Sequence, residues 1–268
     1  MFAIAAASAL SATGIELIAH RGASYDAPEN TAGAAKLAFI QGADGTECDV
    51  YLTKDGKVMV MHDGDTMRTA GVKHKMALAT SAELSKIEVG QWGKWKGSSY
   101  SEKVPFLSEI LATVPQGKKV FVEIKCDVEV LPQLEKELAG SPTKNKRALE
   151  NKQIAIICFN YNVIKAAKAR MPQYEAYWLV GQDRNTKQYM PVEEMIAKVK
   201  AAGLDGLDLN YGFPIDKEFV QKVHKAGLKL YTWTVDDPAV ARAEVEAGVD
   251  GITTNRPEWL RQQLSKAR

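Results

Sequence analysis

The second half of the chain keeps one beat: an amphipathic helix, a glycine, then a short apolar strand. It recurs as AGLDGLDL from Ala202, AGLKLYTW from Ala226 and AGVDGITT from Ala247. Upstream, the same alternation predicts strands over 15–19, 120–125, 153–158 and 174–180, followed by 206–210, 228–234 and 251–254. Helices are predicted over 30–41, 106–113, 129–138, 162–170, 192–202, 216–226, 238–247 and 257–266. Counting a hairpin near residue 50 as the second unit, eight parallel strands with crossover helices close naturally on themselves. The expected fold is α/β, a TIM (β/α)8 barrel over 15–268. An open doubly wound sheet would need a phosphate-binding glycine loop after the first strand, and His20-Arg21-Gly22 is not one.

Residues 64–105 break the beat. They lack a clean period and hold Gly90, Gly93, Gly97, Trp92 and Trp95, with a short helix expected over 81–87. Long irregular stretches in a barrel are usually functional, so this one reads as a small insertion after the second strand, lying over one end of the fold. Trp92, Trp95 and Tyr100 either pack the insertion's own core or cover an apolar substrate chain; packing is the expectation.

Composition narrows the classes. Hydrophobic residues make up 46% and charged residues 25%, which suffices for a sizeable core. Net charge is +2 and no basic run is interleaved with aromatics, so nothing points to a nucleic-acid partner. No stretch approaches the roughly 20 apolar residues of a membrane span. Cys48, Cys126 and Cys158 form an odd count without CxxC spacing, which argues for small buried side chains over a disulfide or zinc site. Residues 1–14 are nearly all small and apolar, with Ala7-Ser8-Ala9 resembling a signal-peptidase site but no charged leader before it. They read as the remnant of an export signal or as an alanine-rich helix end, and an exported protein is the expectation.

The polar residues that interrupt the apolar strands fall where a barrel keeps its chemistry, at the C-terminal strand ends. His20 follows the first strand. Glu47 and Asp49 share one face of the second, with Cys48 on the other. Lys54-Asp55-Gly56 turns the hairpin and brings back His62. Glu123 and Lys125 share a face of the third, and Trp233 lies late on the seventh. Singly, each has a mundane alternative: a hydrogen-bonded structural histidine, a barrel ion pair, a core tryptophan. Jointly they have no cheap structural explanation, because buried charges cost several kcal/mol each unless paired or bound to metal. Two carboxylates on one face are most simply offset by a divalent cation.

In order and spacing, seven motifs resemble the glycerophosphodiester phosphodiesterases across residues 15–260. They are His20-Arg21-Gly22, Pro28-Glu29-Asn30-Thr31, Glu47-x-Asp49, Leu52-Thr53-Lys54-Asp55-Gly56 leading to Val60-Met61-His62-Asp63, Glu123-Ile124-Lys125, Tyr231-Thr232-Trp233-Thr234-Val235 and Asp250-Gly251-Ile252-Thr253-Thr254-Asn255. The resemblance implies a TIM barrel with an insertion after the second strand. It implies that Glu47, Asp49 and Glu123 ligate one divalent cation, Mg²⁺ or Ca²⁺ given the all-oxygen donor set. It makes His20 and His62 the general acid and base, Arg21 and Lys125 the phosphate clamps, Trp233 a wall of the glycerol or alcohol pocket, and Glu29 the support of the first-strand loop. Cys158 departs from the family, which often carries a serine there. The implied reaction is hydrolysis of a small glycerophosphodiester to glycerol 3-phosphate and an alcohol. The competing readings are a lysophospholipase D or phospholipase on the same barrel, and a non-catalytic binding module.

Overall fold

The computed structural model describes residues 14–140 and 149–266. The strands are β1 Glu16–Ala19, β2 Gly45–Leu52, β3 Val58–Val60, β4 Lys119–Ile124, β5 Ile154–Cys158, β6 Glu175–Val180, β7 Gly206–Asn210, β8 Lys229–Trp233 and β9 Gly251–Thr254. All but β3 run parallel and in ring order, and the pairing of Ile18 with Gly45 closes β1 onto β2. The short β3 lies antiparallel to β2 outside the ring, with Val50 opposite Val60. The expected eight-stranded TIM barrel is the fold observed.

Register decides what fills the barrel. Glu47 pairs with Phe121, Ile157 with Tyr177, Asp208 with Tyr231, and Thr253 with Ile18. Side chains inside such a barrel stack in layers of four taken from alternate strands. At the N-terminal end the layer is Glu16, Lys119, Glu175 and Lys229. Above it come Ile18, Phe121, Tyr177 and Tyr231, all buried; Phe121 and Tyr177 lie 6.0 Å apart, and Tyr177 and Tyr231 4.9 Å. Burying side chains of this size stabilises the fold by about 1.5–3 kcal/mol each. The interleaved strands yield space: a Cβ on Gly251 would sit 2.5 Å from the Tyr231 ring. Toward the C-terminal end the layers turn polar, with Glu47, Ile157, Asp208 and Thr253 in one, and Glu123, Leu179 and Trp233 in the other.

Outward residues such as Val120, Val122, Leu207 and Leu209 pack under the surrounding helices. These are α1 Ala32–Ile40, α2 Met67–Ala70, α3 Ser81–Leu84, α4 Leu107–Leu111, α5 Leu131–Gly140, α6 Tyr161–Arg170, α7 Val192–Ala201, α8 Lys217–Lys225, α9 Pro238–Ala247 and α10 Pro257–Ser265. Several are shorter than their sequence pattern. The helix expected from residue 30 starts at Ala32, because Asn30 takes φ 57° and Thr31 is the cap, accepting from the Ala34 amide. The helix expected over 129–138 opens as a 3-10 turn, Val128–Val130, ahead of α5. The one expected over 81–87 ends at Leu84, held by a capping box between Thr80 and Glu83.

The insertion carries α2 and α3 and has its own core of Met59, Met61, Met76, Leu84, Val89 and Val104. Trp92, Trp95 and Tyr100 are not in it. Trp95 and Tyr100 pack edge to face at 5.3 Å, and the Tyr100 hydroxyl donates to the Asp26 carbonyl on the loop after β1. Trp95 and Tyr100 therefore pack toward the loop after β1 rather than into the core expected for them, and the Arg68 guanidinium lies over the Trp92 ring at 5.1 Å. Cys48 and Cys158 are buried and all three cysteines are free. No helix among the described residues is long and apolar enough to cross a membrane. The export reading falls on residues 1–13, outside the described residues, save for Gly14.

Candidate active site

The loop leaving β1 is forced into an uncommon shape. Arg21 takes φ 54° and Gly22 φ 80°, both left-handed, and a Cβ on Gly22 would meet the Ala34 backbone at 2.5 Å. Only glycine fits there. A non-glycine residue such as Arg21 at positive φ is held by its surroundings. Here the Arg21 amide donates to Glu47 Oε2 at 2.8 Å, Nη1 to Glu29 Oε1 at 2.9 Å, and Nε lies 3.5 Å from Asp49.

Period-two alternation on β2 turns Glu47 and Asp49 inward, and β4 brings Glu123 beside them. One carboxylate oxygen from each lies within 4.8 Å of the others, and all three residues are buried. A single cation with oxygen bonds of about 2.1–2.5 Å leaves its ligands roughly 3–5 Å apart, so the cluster is of a size to hold one metal cation. The electrostatics agree. Burial, then Asp49 and Glu123, push the Glu47 carboxyl far above its ordinary range, and its Oε1 has no hydrogen-bond partner. Burial and Asp49 raise Glu123 to about 7. Burial also works against the Asp49 carboxylate, but Lys125 and Arg21 hold it below its usual value. Lys125 Nζ reaches Glu123 at 2.8 Å and Asp49 at 3.4 Å. That is one lysine for three carboxyls, and a divalent cation is what such a set accepts.

Both histidines face the cavity above this cluster. His20 Nδ1 lies 2.8 Å from Asn255 Oδ1. Asn255 gives its amide NH₂ to Asp236 at 2.6 Å, so the oxygen must face His20 and can only accept. Nδ1 therefore carries the proton and Nε2 is bare. Burial, then Arg21, lowers the His20 pKa to about 4 against the pull of Asn255 and Asp49. His62 Nδ1 sits 2.7 Å from Asp63, again leaving Nε2 free. Asp63 in turn accepts from Arg68 Nε at 2.7 Å, and Arg68 holds Glu29 through both carboxylate oxygens at 2.7 and 3.0 Å. An unbroken chain Arg21–Glu29–Arg68–Asp63–His62 thus ties the two histidine loops together, with Arg68 supplied by the insertion.

The cavity encloses about 850 Å³. Its far side, on β5 to β8, is formed by Ile157, Phe159, Trp178, Asp208 and Trp233. Phe159 meets Trp233 edge to face at 5.3 Å, and Trp233 Nε1 donates to the Asp208 carbonyl at 3.1 Å.

Comparison with known proteins places the chain. Residues 20–259 match the glycerophosphoryl diester phosphodiesterase family. The chain belongs to that family. It is 33% identical to the glycerophosphodiester phosphodiesterase of Caldanaerobacter subterraneus subsp. tengcongensis, over 91% of this chain and 95% of that one. It is 29% identical to that of Bacillus subtilis, over 93% and 86%. Among solved structures it is similar to an Oleispira antarctica phosphodiesterase in complex with the product sn-glycerol-3-phosphate, with TM-score 0.78, 26% identity and coverage of 93% and 96%. The Thermotoga maritima glycerophosphodiester phosphodiesterase gives TM-score 0.71 at 26% identity, over 95% and 98%. The protein is a glycerophosphodiester phosphodiesterase, a hydrolase of phosphodiester bonds.

Of the site residues expected of this phosphodiesterase from its sequence, His20, Arg21, Glu47, His62, Glu123, Lys125 and Trp233 line one cavity, Asp49 is buried with the other two carboxyls, and Glu29 holds Arg21 from outside the cluster. Five that matter were not singled out, Arg68 of the chain above among them. Asn30 grips Asp49 at both ends, donating to Oδ2 at 2.7 Å and accepting from the Asp49 amide at 3.1 Å. Asp236 and Asn255 orient His20. Asp208 is 1% exposed, its Oδ1 has no partner, and burial followed by the charge of Glu123 drives its pKa well above the ordinary value. The sequence signal for Asp208 was an acid inside the apolar strand GLDLN.

Proposed function

We propose that this phosphodiesterase hydrolyses glycerophosphodiesters to glycerol 3-phosphate and a free alcohol, using one divalent cation and a pair of histidines. Glu47, Asp49 and Glu123 would hold the cation, Mg²⁺ or Ca²⁺. When bound, that ion neutralises charge on the non-bridging phosphate oxygens. Arg21 and Lys125 flank the same position and bind those oxygens. The observation carrying the reading is the buried triad of carboxyls, one oxygen of it unpartnered, beneath two imidazoles that each keep Nε2 free.

The partners of the two rings divide their work. Asn255 is a neutral amide and burial favours the uncharged ring, so His20 takes a proton. His62, held at Nδ1 by the Asp63 carboxylate with Nε2 toward the cavity, gives one. In the first step the glycerol C2 oxygen bonds to phosphorus while its proton passes to His20 Nε2. The bond from phosphorus to the head-group oxygen breaks, and that oxygen takes the proton of His62. In the second step water opens the cyclic phosphate with the roles reversed. Glu29 and Arg68 keep the two rings in register, and Trp233 walls the glycerol.

Turnover of glycerophosphocholine and glycerophosphoethanolamine, measured with and without chelator, tests the whole reading. Full activity after chelation would remove the cation. A substrate lacking the C2 hydroxyl tests the cyclic route, and unchanged turnover on it would leave direct attack by water.

A further inference from the structure

We infer that Asp208 is the specificity residue of the cavity, binding the free terminal hydroxyl of the substrate's glycerol and so selecting deacylated glycerophosphodiesters over lysophospholipids. The inference rests on the reaction proposed above.

The barrel layers place Asp208 where such a contact is needed. On β7 it occupies the same layer as Glu47, and ring order sets β7 across the barrel from β2. The metal triad and both histidines lie on the β1, β2 and β4 side. Asp208 is the buried acid of the opposite floor, flanked in its layer by Ile157 and Thr253, and it lines the cavity. Trp233 sits on the strand beside it and is fastened by its indole to the Asp208 carbonyl. A glycerol lying against the Trp233 ring sits beside β7, where Asp208 lines the same cavity.

Chemistry picks the hydroxyl. In a glycerophosphodiester the C3 oxygen is bonded to phosphorus and the C2 hydroxyl must meet His20. Only the C1 hydroxyl is left to face the far side. An unpartnered buried carboxyl oxygen is costly to the fold, and a hydroxyl supplies the missing hydrogen bond. A 1-acyl lysophospholipid carries an ester oxygen there with no hydrogen to donate, and its chain would point into a closed floor. A site built around a hydroxyl discriminates against analogues lacking it far more than an apolar pocket does.

The test compares glycerophosphocholine with its analogue in which propane-1,2-diol replaces glycerol, losing only the C1 hydroxyl. Wild-type enzyme should prefer glycerophosphocholine in kcat/KM by about ten- to a hundredfold. The Asp208→Leu variant should turn over both compounds at the rate wild type shows for the analogue, and Asp208→Asn, which keeps a donor and an acceptor, should retain the preference. Equal wild-type rates on the two compounds would overturn the inference, as would an undiminished preference in Asp208→Leu. If Asp208→Leu does not fold, loss of the preference in a soluble Asp208→Ser variant takes its place as the supporting result, and its persistence as the refuting one. Wild-type enzyme inactive on both compounds would sink the proposed reaction itself rather than the role of Asp208 alone.

Discussion

The two ends of this barrel are built from the same kinds of side chain and reach opposite electrostatic outcomes. At the N-terminal end, Lys119 meets Glu16 at 3.0 Å and Glu175 at 3.5 Å, Lys229 meets Glu175 at 2.6 Å, and the Tyr231 hydroxyl donates to Glu16 at 2.9 Å. Two acids face two lysines, and the layer closes on itself. Burial works against the Glu175 carboxylate, yet Lys229 and Lys119 hold its pKa below the ordinary value. At the C-terminal end Glu47 and Glu123 are driven upward instead, and Arg21 is shared with Glu29 outside the cluster. Charges that complete one another hold a barrel together; charges left incomplete mark where something binds.

The comparison breaks most visibly if the mouth is altered. Glu47→Gln keeps the shape of the cluster but removes a charge, and should lower cation-dependent turnover by about 10³-fold or more. Steady-state assays across a cation titration check this; wild-type turnover in the variant would end the cation assignment. His20→Ala and His62→Ala should each cost about 10²–10³-fold in kcat, with circular dichroism and melting unchanged. Either variant working at full rate would remove that ring from the mechanism.

A smaller effect lies in stability. Glu123 has its folded-state pKa raised from 4.5 to about 7, so between those values the folded protein holds a proton that the unfolded chain has lost. Metal-free protein should therefore be most stable at low pH within this window and lose on the order of 3 kcal/mol as pH rises through it. Saturating Mg²⁺ or Ca²⁺ should flatten the slope. Denaturant melts at pH 5 and pH 8, with and without the ion, read this out, and a slope insensitive to cation would contradict it. The smallest change is expected at the bottom. Glu175→Gln should cost about 1 kcal/mol, since the group is partly exposed, and leave kcat untouched. Because this carboxylate's pKa is depressed, the wild-type advantage should vanish as pH falls below 4.5 through the folded-state pKa. A loss of kcat in Glu175→Gln would blur the distinction between the two ends.

The strand-and-helix rhythm, the inward pairing of Glu47 with Asp49, and the placing of chemistry at the strand ends were all legible in the chain. Each follows from local periodicity: side chains two apart share a face of a strand, and apolar runs between glycines make the parallel barrel. The tertiary structure alone decided matters of register and of contacts between distant segments. Asn30 is only the start of the helix expected over 30–41 until β2 brings Asp49 against it. Arg68 lies in an aperiodic insertion until the fold sets it between Glu29 and Asp63. Asp208 is one acid in an apolar strand until the stagger of the barrel lifts it into the layer of Glu47. No local pattern encodes that stagger, because it accumulates pair by pair around the closed sheet and is defined only once β1 meets β2.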